Sequence, residues 1–308
     1  MKLCRGLLAA VPVSAAVLVA VLLAGCGGSG LAASGSSGRL NVVAAEDFWG
    51  SIAEQLGGER VAVTEIIANP AVDPHDYEPS SEDAKAFATA QMSIVNGLGY
   101  DEWASKLLAA SPESSRTELV VGDALGLSDG DNPHQWYSPT SVHRAIGAIV
   151  AGYKQALPGH DGYFDARRNA FETVGLGEYD ELIARIRSRY AGTAVGASES
   201  ILEPLAPSLG LRLITPRGLM DGIAEGTEPS TGEKALAEEQ VADNLVGLWV
   251  YNSQNATPDV RRLNEAAKKA GVPTVAVTET PTPEGASFQK WMVGELEGIE
   301  AALARGGG

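Results

Sequence analysis

The residues best equipped for chemistry in this chain are two histidines and two glutamates. His75 stands in Asp73-Pro74-His75-Asp76-Tyr77-Glu78-Pro79 and His134 in Asn132-Pro133-His134-Gln135-Trp136-Tyr137, matching Pro-His contexts in a chain with four histidines. Glu199 follows Ala197-Ser198, and Glu279 follows Val277-Thr278. Two imidazoles and two carboxylates can close a shell around a divalent cation. A proline beside each histidine restricts its loop and limits the entropy lost when an ion is bound. Taken singly, each residue has a plainer reading: a loop histidine at the surface, or an acid stabilised by a helix dipole. Glu78 reads as a solvated loop acid, and His143 and His160 as surface residues. Trp49, Trp136, Tyr77 and Tyr100 read as core or rim.

These residues gain meaning from the elements that must hold them. Apolar runs of β character recur at 40–45, 61–67, 92–96 and 118–121, and again at 193–198, 211–215, 246–251 and 273–277, with helical patterns between them. Ser80 or Ser81 ahead of Glu82 and Asp83 marks a helix start, and Pro139 opens a helix that Pro158-Gly159 stops. A charged helical stretch over 161–190 lies between the two sets, with Gly175 and Gly177 weakening its middle. The expected fold is α/β, two lobes with mostly parallel sheets joined by one long helix, and a metal site in the cleft between the lobes. The expected bounds are 40–158 for the N-terminal lobe, 159–191 for the linking helix and 192–308 for the C-terminal lobe. In such sheets ligands bind beyond the carboxyl ends of the strands, where all four residues fall.

Composition narrows the choice. The chain has 308 residues, 44% hydrophobic and 20% charged, which excludes a wholly disordered chain. A formal charge of −16 argues against a nucleic-acid partner, since phosphates demand a basic face. Both cysteines, Cys4 and Cys26, fall within the first 26 residues, so the folded part has neither disulfide nor thiolate metal site. Lys2 and Arg5 precede an apolar run over 7–24 that ends in Leu23-Ala24-Gly25-Cys26. This reads as a lipoprotein signal peptide over 1–25 with Cys26 as the lipidated residue, against the plainer reading of a signal anchor. Residues 26–39, rich in Gly and Ser, read as a flexible tether. The expected location is extracytoplasmic, lipid-anchored to the cell membrane.

With these residues in view, the chain from about 40 to 304 resembles the metal-binding solute-binding lipoproteins of ABC importers for zinc and manganese, the ZnuA, TroA and PsaA-like cluster. The resemblance rests on the two Pro-His motifs, on Val95-Asn96-Gly97-Leu98-Gly99-Tyr100, and on the shorter Ser198-Glu199-Ser200 and Val277-Thr278-Glu279-Thr280. It implies that His75, His134 and Glu199 are metal ligands, with Glu279 where the family usually has Asp. It also implies two α/β lobes joined by one long helix, an ABC importer permease as partner, and a monomer. Zinc-specific relatives often carry a His- and Asp-rich loop after the first ligand region, and no such run is present here.

The expected function is capture of a divalent transition metal and its delivery to an importer, not catalysis, because a closed shell leaves no position for a reacting water. With monodentate carboxylates the shell is four-coordinate and suits Zn2+; with bidentate ones it approaches six and suits Mn2+. Zinc is the favoured ion and manganese the alternative. A surface adhesin, a metallohydrolase and an organic-solute binder are the competing readings; the hydrolase lacks His-Glu-x-x-His and related motifs.

Overall fold

The structure is a computed structural model that describes residues 38–70, 74 and 77–306. The segments expected as signal peptide and, for the most part, tether, together with Cys26 and His75, lie outside the described residues. Among those described, no helix is long and apolar enough to cross a membrane.

Two four-stranded sheets carry the fold, and both are parallel throughout. The first contains β1 (Leu40–Glu46), β2 (Val61–Ile67), β3 (Met92–Val95) and β4 (Thr117–Val120), in the order β2-β1-β3-β4. The second contains β5 (Ala194–Ala197), β6 (Arg212–Leu213), β7 (Trp249–Asn252) and β8 (Thr274–Val277), in the order β6-β5-β7-β8. The two lobes thus repeat one strand order with no repeat at the level of residues. Parallel strands covered on both faces read as apolar runs rather than alternations, and β1 and β3 are buried almost throughout.

Helices α1 (Asp47–Gly57), α2 (Ser81–Thr89), α3 (Glu102–Ala110), α4 (Val121–Leu125) and α5 (Pro139–Ala156) belong to the first half. The Ser80 hydroxyl accepts from Asp83 N–H while the Asp83 carboxylate accepts from Ser80 N–H, so α2 starts where its capping residues dictate. Pro139 is the first residue of α5, and Ser138 caps it.

The stretch expected as one linking helix is α6 (Asp161–Ala170), a π-helical turn over Phe171–Gly175, and α7 (Gly177–Tyr190). The interruption ends at Gly175, one of the two glycines that weaken this stretch; a Cβ there would lie 3.0 Å from the Phe171 ring. Helices α8 (Arg217–Ala224), α9 (Thr231–Ala242), α10 (Pro258–Ala270) and α11 (Phe288–Gly306) complete the second half.

The lobes share one apolar core. Phe48, Trp49 and Ile52 of α1 belong to the same buried cluster as Tyr179 and Leu182 of α7 and Phe288, Trp291 and Leu296 of α11. Polar contacts reinforce the junction: Phe288 N–H donates to Ser51 Oγ at 2.9 Å, and the Gln55 and Gln289 amides bond each other.

Candidate metal centre

His134, Glu199 and Glu279 converge from the carboxyl ends of both sheets. Each offers a nitrogen or oxygen, and these atoms all lie within 4.8 Å of one another. All three residues are at most 1 % exposed. Burying two carboxylates so close together is costly without a cation to balance them. The chemistry this set can perform is coordination of a positive ion by one nitrogen and several oxygens.

His134 reaches the cleft by way of α4, a short helix the sequence did not announce, which ends at Gly126 in the left-handed conformation. Its loop is held from several sides. The Gln135 amide donates to Asn132 O at 2.7 Å and accepts from Ser141 Oγ of α5 at 2.8 Å. Asn96 donates to Pro133 O at 3.1 Å and accepts from Trp49 Nε1 at 2.9 Å. Trp136 stacks on Phe48 with centroids 3.9 Å apart, and its ring meets the His134 ring edge-on at 5.3 Å. These aromatics are therefore core that shapes the site. Asn132 Oδ1 lies 3.0 Å from His134 Nδ1, and an amide oxygen only accepts, so Nδ1 carries the proton and Nε2 is left with its lone pair facing the cleft. Nε2 is 4.0 Å from Glu279 Oε2.

Glu279 follows β8 and is held by both lobes. Tyr100 Oη donates to Glu279 Oε2 at 2.7 Å, and Asn252 Nδ2 donates to Oε1 at 2.6 Å. Its backbone N–H donates to Gln254 Oε1 at 2.6 Å. Tyr100 is placed by a tight turn: Gly97, Leu98 and Gly99 all have positive φ, and Asp101 accepts from the backbone N–H groups of Asn96 and Gly97 at 2.6 and 2.8 Å. On the other side, Glu295 of α11 accepts from Thr278 N–H and Trp291 Nε1, and burial pushes its carboxyl up to about 7.

Glu199 follows β5 and precedes a 3₁₀ turn over Ser200–Leu202; Asn255 Nδ2 donates to its Oε2 at 3.1 Å. Asn252, Gln254 and Asn255 were not singled out from the sequence. The signal was present, because Asn252-Ser253-Gln254-Asn255 is a polar run directly after the apolar run 246–251, at a strand's carboxyl end. His143 lies on exposed α5 surface near Glu172 and Asp180, and His160 precedes α6, both away from the centre.

Two parallel α/β lobes closing on a buried nitrogen and oxygen donor set define a class, the bilobal binding-protein fold with a candidate cation site between its lobes. The chain belongs to the ZnuA family, described as the periplasmic component A of a zinc-uptake complex, whose profile matches residues 42–302. Among curated relatives, the manganese-binding lipoprotein MntA of Halalkalibacterium halodurans is 33% identical over 136 residues, 43% of this chain and 45% of that one. The zinc-binding lipoprotein AdcA of Streptococcus pneumoniae is 23% identical over 289 residues, 86% of this chain and 56% of that one. The chain thus spans about half the length of these curated relatives. The Mn-bound periplasmic metal binding protein from Candidatus Liberibacter asiaticus shares the fold with TM-score 0.71 at 19% identity, over 86% of this chain and 100% of the other.

Proposed function

We propose that this protein captures a divalent transition metal ion outside the cytoplasmic membrane and delivers it to an ABC importer, held at the membrane by a lipid on Cys26. The observation that carries the reading is the buried convergence of His134, Glu199 and Glu279 between the lobes. These residues serve as ligands, with His75 as the fourth. The ion is cargo, and the site's work is binding and release rather than turnover.

Manganese is the ion we assign. Zinc binds more tightly at most mixed nitrogen and oxygen sites, so preference for manganese must come from ligand number and geometry. Two glutamates binding in bidentate fashion raise the coordination number above the four that zinc favours. The name of the 33% identical relative, a manganese-binding lipoprotein, supports the same choice, whereas the zinc-binding relative is more distant at 23%.

The test is metal analysis by plasma mass spectrometry of chelator-stripped protein offered manganese and zinc together at equal concentration. One equivalent of manganese on the wild type and on the His143→Ala control, with none on His134→Ala, is the expected result. One equivalent of zinc instead reverses the choice of ion. No stoichiometric metal on the wild type, or equal metal on His134→Ala, overturns the site.

A further inference from the structure

Asn132 touches both lobes through the two ends of one side-chain amide. Its oxygen accepts from His134 N–H at 2.9 Å and faces His134 Nδ1 at 3.0 Å. Its nitrogen donates to Ser200 O and to Glu203 Oε2, both at 2.8 Å. An amide nitrogen only donates and an amide oxygen only accepts, so the two ends cannot exchange roles. The planar group therefore grips one ligand residue of the N-terminal lobe and the residue next to Glu199, a ligand of the C-terminal lobe.

We propose that Asn132 is a strut that couples closure of the lobes to the orientation of His134, and so sets how long the ion is held. It is a positioning residue, and the proposal rests on the metal-binding reading given above. When the lobes part, both bonds from Nδ2 break and the amide is released to turn. The imidazole then loses the acceptor that fixes its tautomer and aim. Closed lobes hold the ring with Nε2 toward the ion; parted lobes do not. Tyr100 Oη on Glu279 and Tyr137 Oη on Thr278 O tie the lobes on the Glu279 side, whereas Asn132 ties them on the Glu199 side.

Aspartate at this position separates the two ends. It keeps an acceptor for Nδ1 but turns a carboxylate oxygen toward Ser200 O and the Glu203 carboxylate, where no bond can form. Glu203→Ala removes one partner of the strut and leaves every His134 contact in place.

The experiment is stopped-flow release of Mn2+ into excess chelator from wild type, Asn132→Asp, Glu203→Ala and the double variant. Near-UV circular dichroism checks that each is folded. Two bonds lost predict release about tenfold faster or more in Asn132→Asp, with the association rate unchanged. Glu203→Ala gives a smaller increase on its own and no further increase in the Asn132→Asp background, since the partner it removes is already unbonded. A readout free of metal is hydrogen exchange at Ser200–Leu202, which accelerates in metal-free Asn132→Asp. Release at the wild-type rate, or an equal effect of Glu203→Ala in both backgrounds, overturns the strut. A wild type that takes up no manganese defeats the metal reading instead, and the exchange measurement then decides the strut alone: wild-type protection in Asn132→Asp refutes it.

Discussion

Replacing Glu199 with Gln exchanges strength of binding for stability of the empty protein. Glu199 and Glu279 present oxygens within 4.8 Å of each other in a buried site. Two unit charges at that separation repel by about 3 kcal/mol at an effective dielectric of about 20. Donors offset part of this: Tyr100 and Asn252 on Glu279, and Asn255 on Glu199. The net cost in metal-free protein is then about 1–3 kcal/mol. Glutamine has the same shape, still accepts from Asn255, and can donate to Glu279, so Glu199→Gln converts repulsion to attraction. For a unit of this size, the metal-free variant should melt about 2–6 °C above metal-free wild type. With manganese the order reverses, because ligand binding stabilises the wild type in proportion to its affinity and the variant has lost a charged ligand. Scanning calorimetry of chelator-stripped and manganese-saturated samples measures both differences. A metal-free variant that melts below wild type, or one that keeps the full manganese-induced rise, would refute the reasoning.

Two further predictions concern the frame of the site. Burial, with the Glu65 charge adding, pushes Asp47 up to about 8; burial raises Glu65 and Glu295 to about 7. The native state therefore binds more protons than the unfolded chain from about pH 4 to pH 8, and stability falls as pH rises across that window, by at most about 1.4 kcal/mol per pH unit for each group, levelling off above the raised values. Urea unfolding of metal-free protein should give greater stability at pH 6 than at pH 8, with a shallower slope in Asp47→Asn; greater stability at pH 8 would contradict the assignment. Gly97 has φ of 75°, and a Cβ there would meet Val120 Cγ1 at 2.6 Å, so Gly97→Ala should cost about 1–3 kcal/mol and loosen the turn that carries Tyr100. Unfolding and manganese titration check this, and a variant equal to wild type in both would show that the turn tolerates the change.

The class of fold and much of the site follow from local sequence. Apolar runs such as 40–45 and 92–96 are parallel strands because they are largely apolar without alternation, which suits burial on both faces. Ser80 and Pro139 start helices where their own chemistry requires. Glu199 and Glu279 stand out because each comes just after such a run, at a strand's carboxyl end, and His134 because its Pro-His context matches that of His75 in a chain with four histidines. Other features depend on partners distant in the chain. The break in the linking helix, by contrast, falls at the glycines the sequence marked, while α4 intervenes where a plain loop was expected. Tyr100, read as core or rim, is core, and only the second lobe brings Glu279, 179 residues along the chain, to its hydroxyl. Asn252 and Gln254 acquire a role only beside Glu279. Sequence by itself determined the donor types and the strand ends that present them, since both follow from side-chain chemistry and short-range pattern. Tertiary structure alone decided which donors meet, at what distance, and which amides and hydroxyls orient them. Several of those contacts, Tyr100 to Glu279 and Asn132 to Ser200 and Glu203 among them, cross between lobes, and no local pattern records the geometry of a closure that two separate sheets make together.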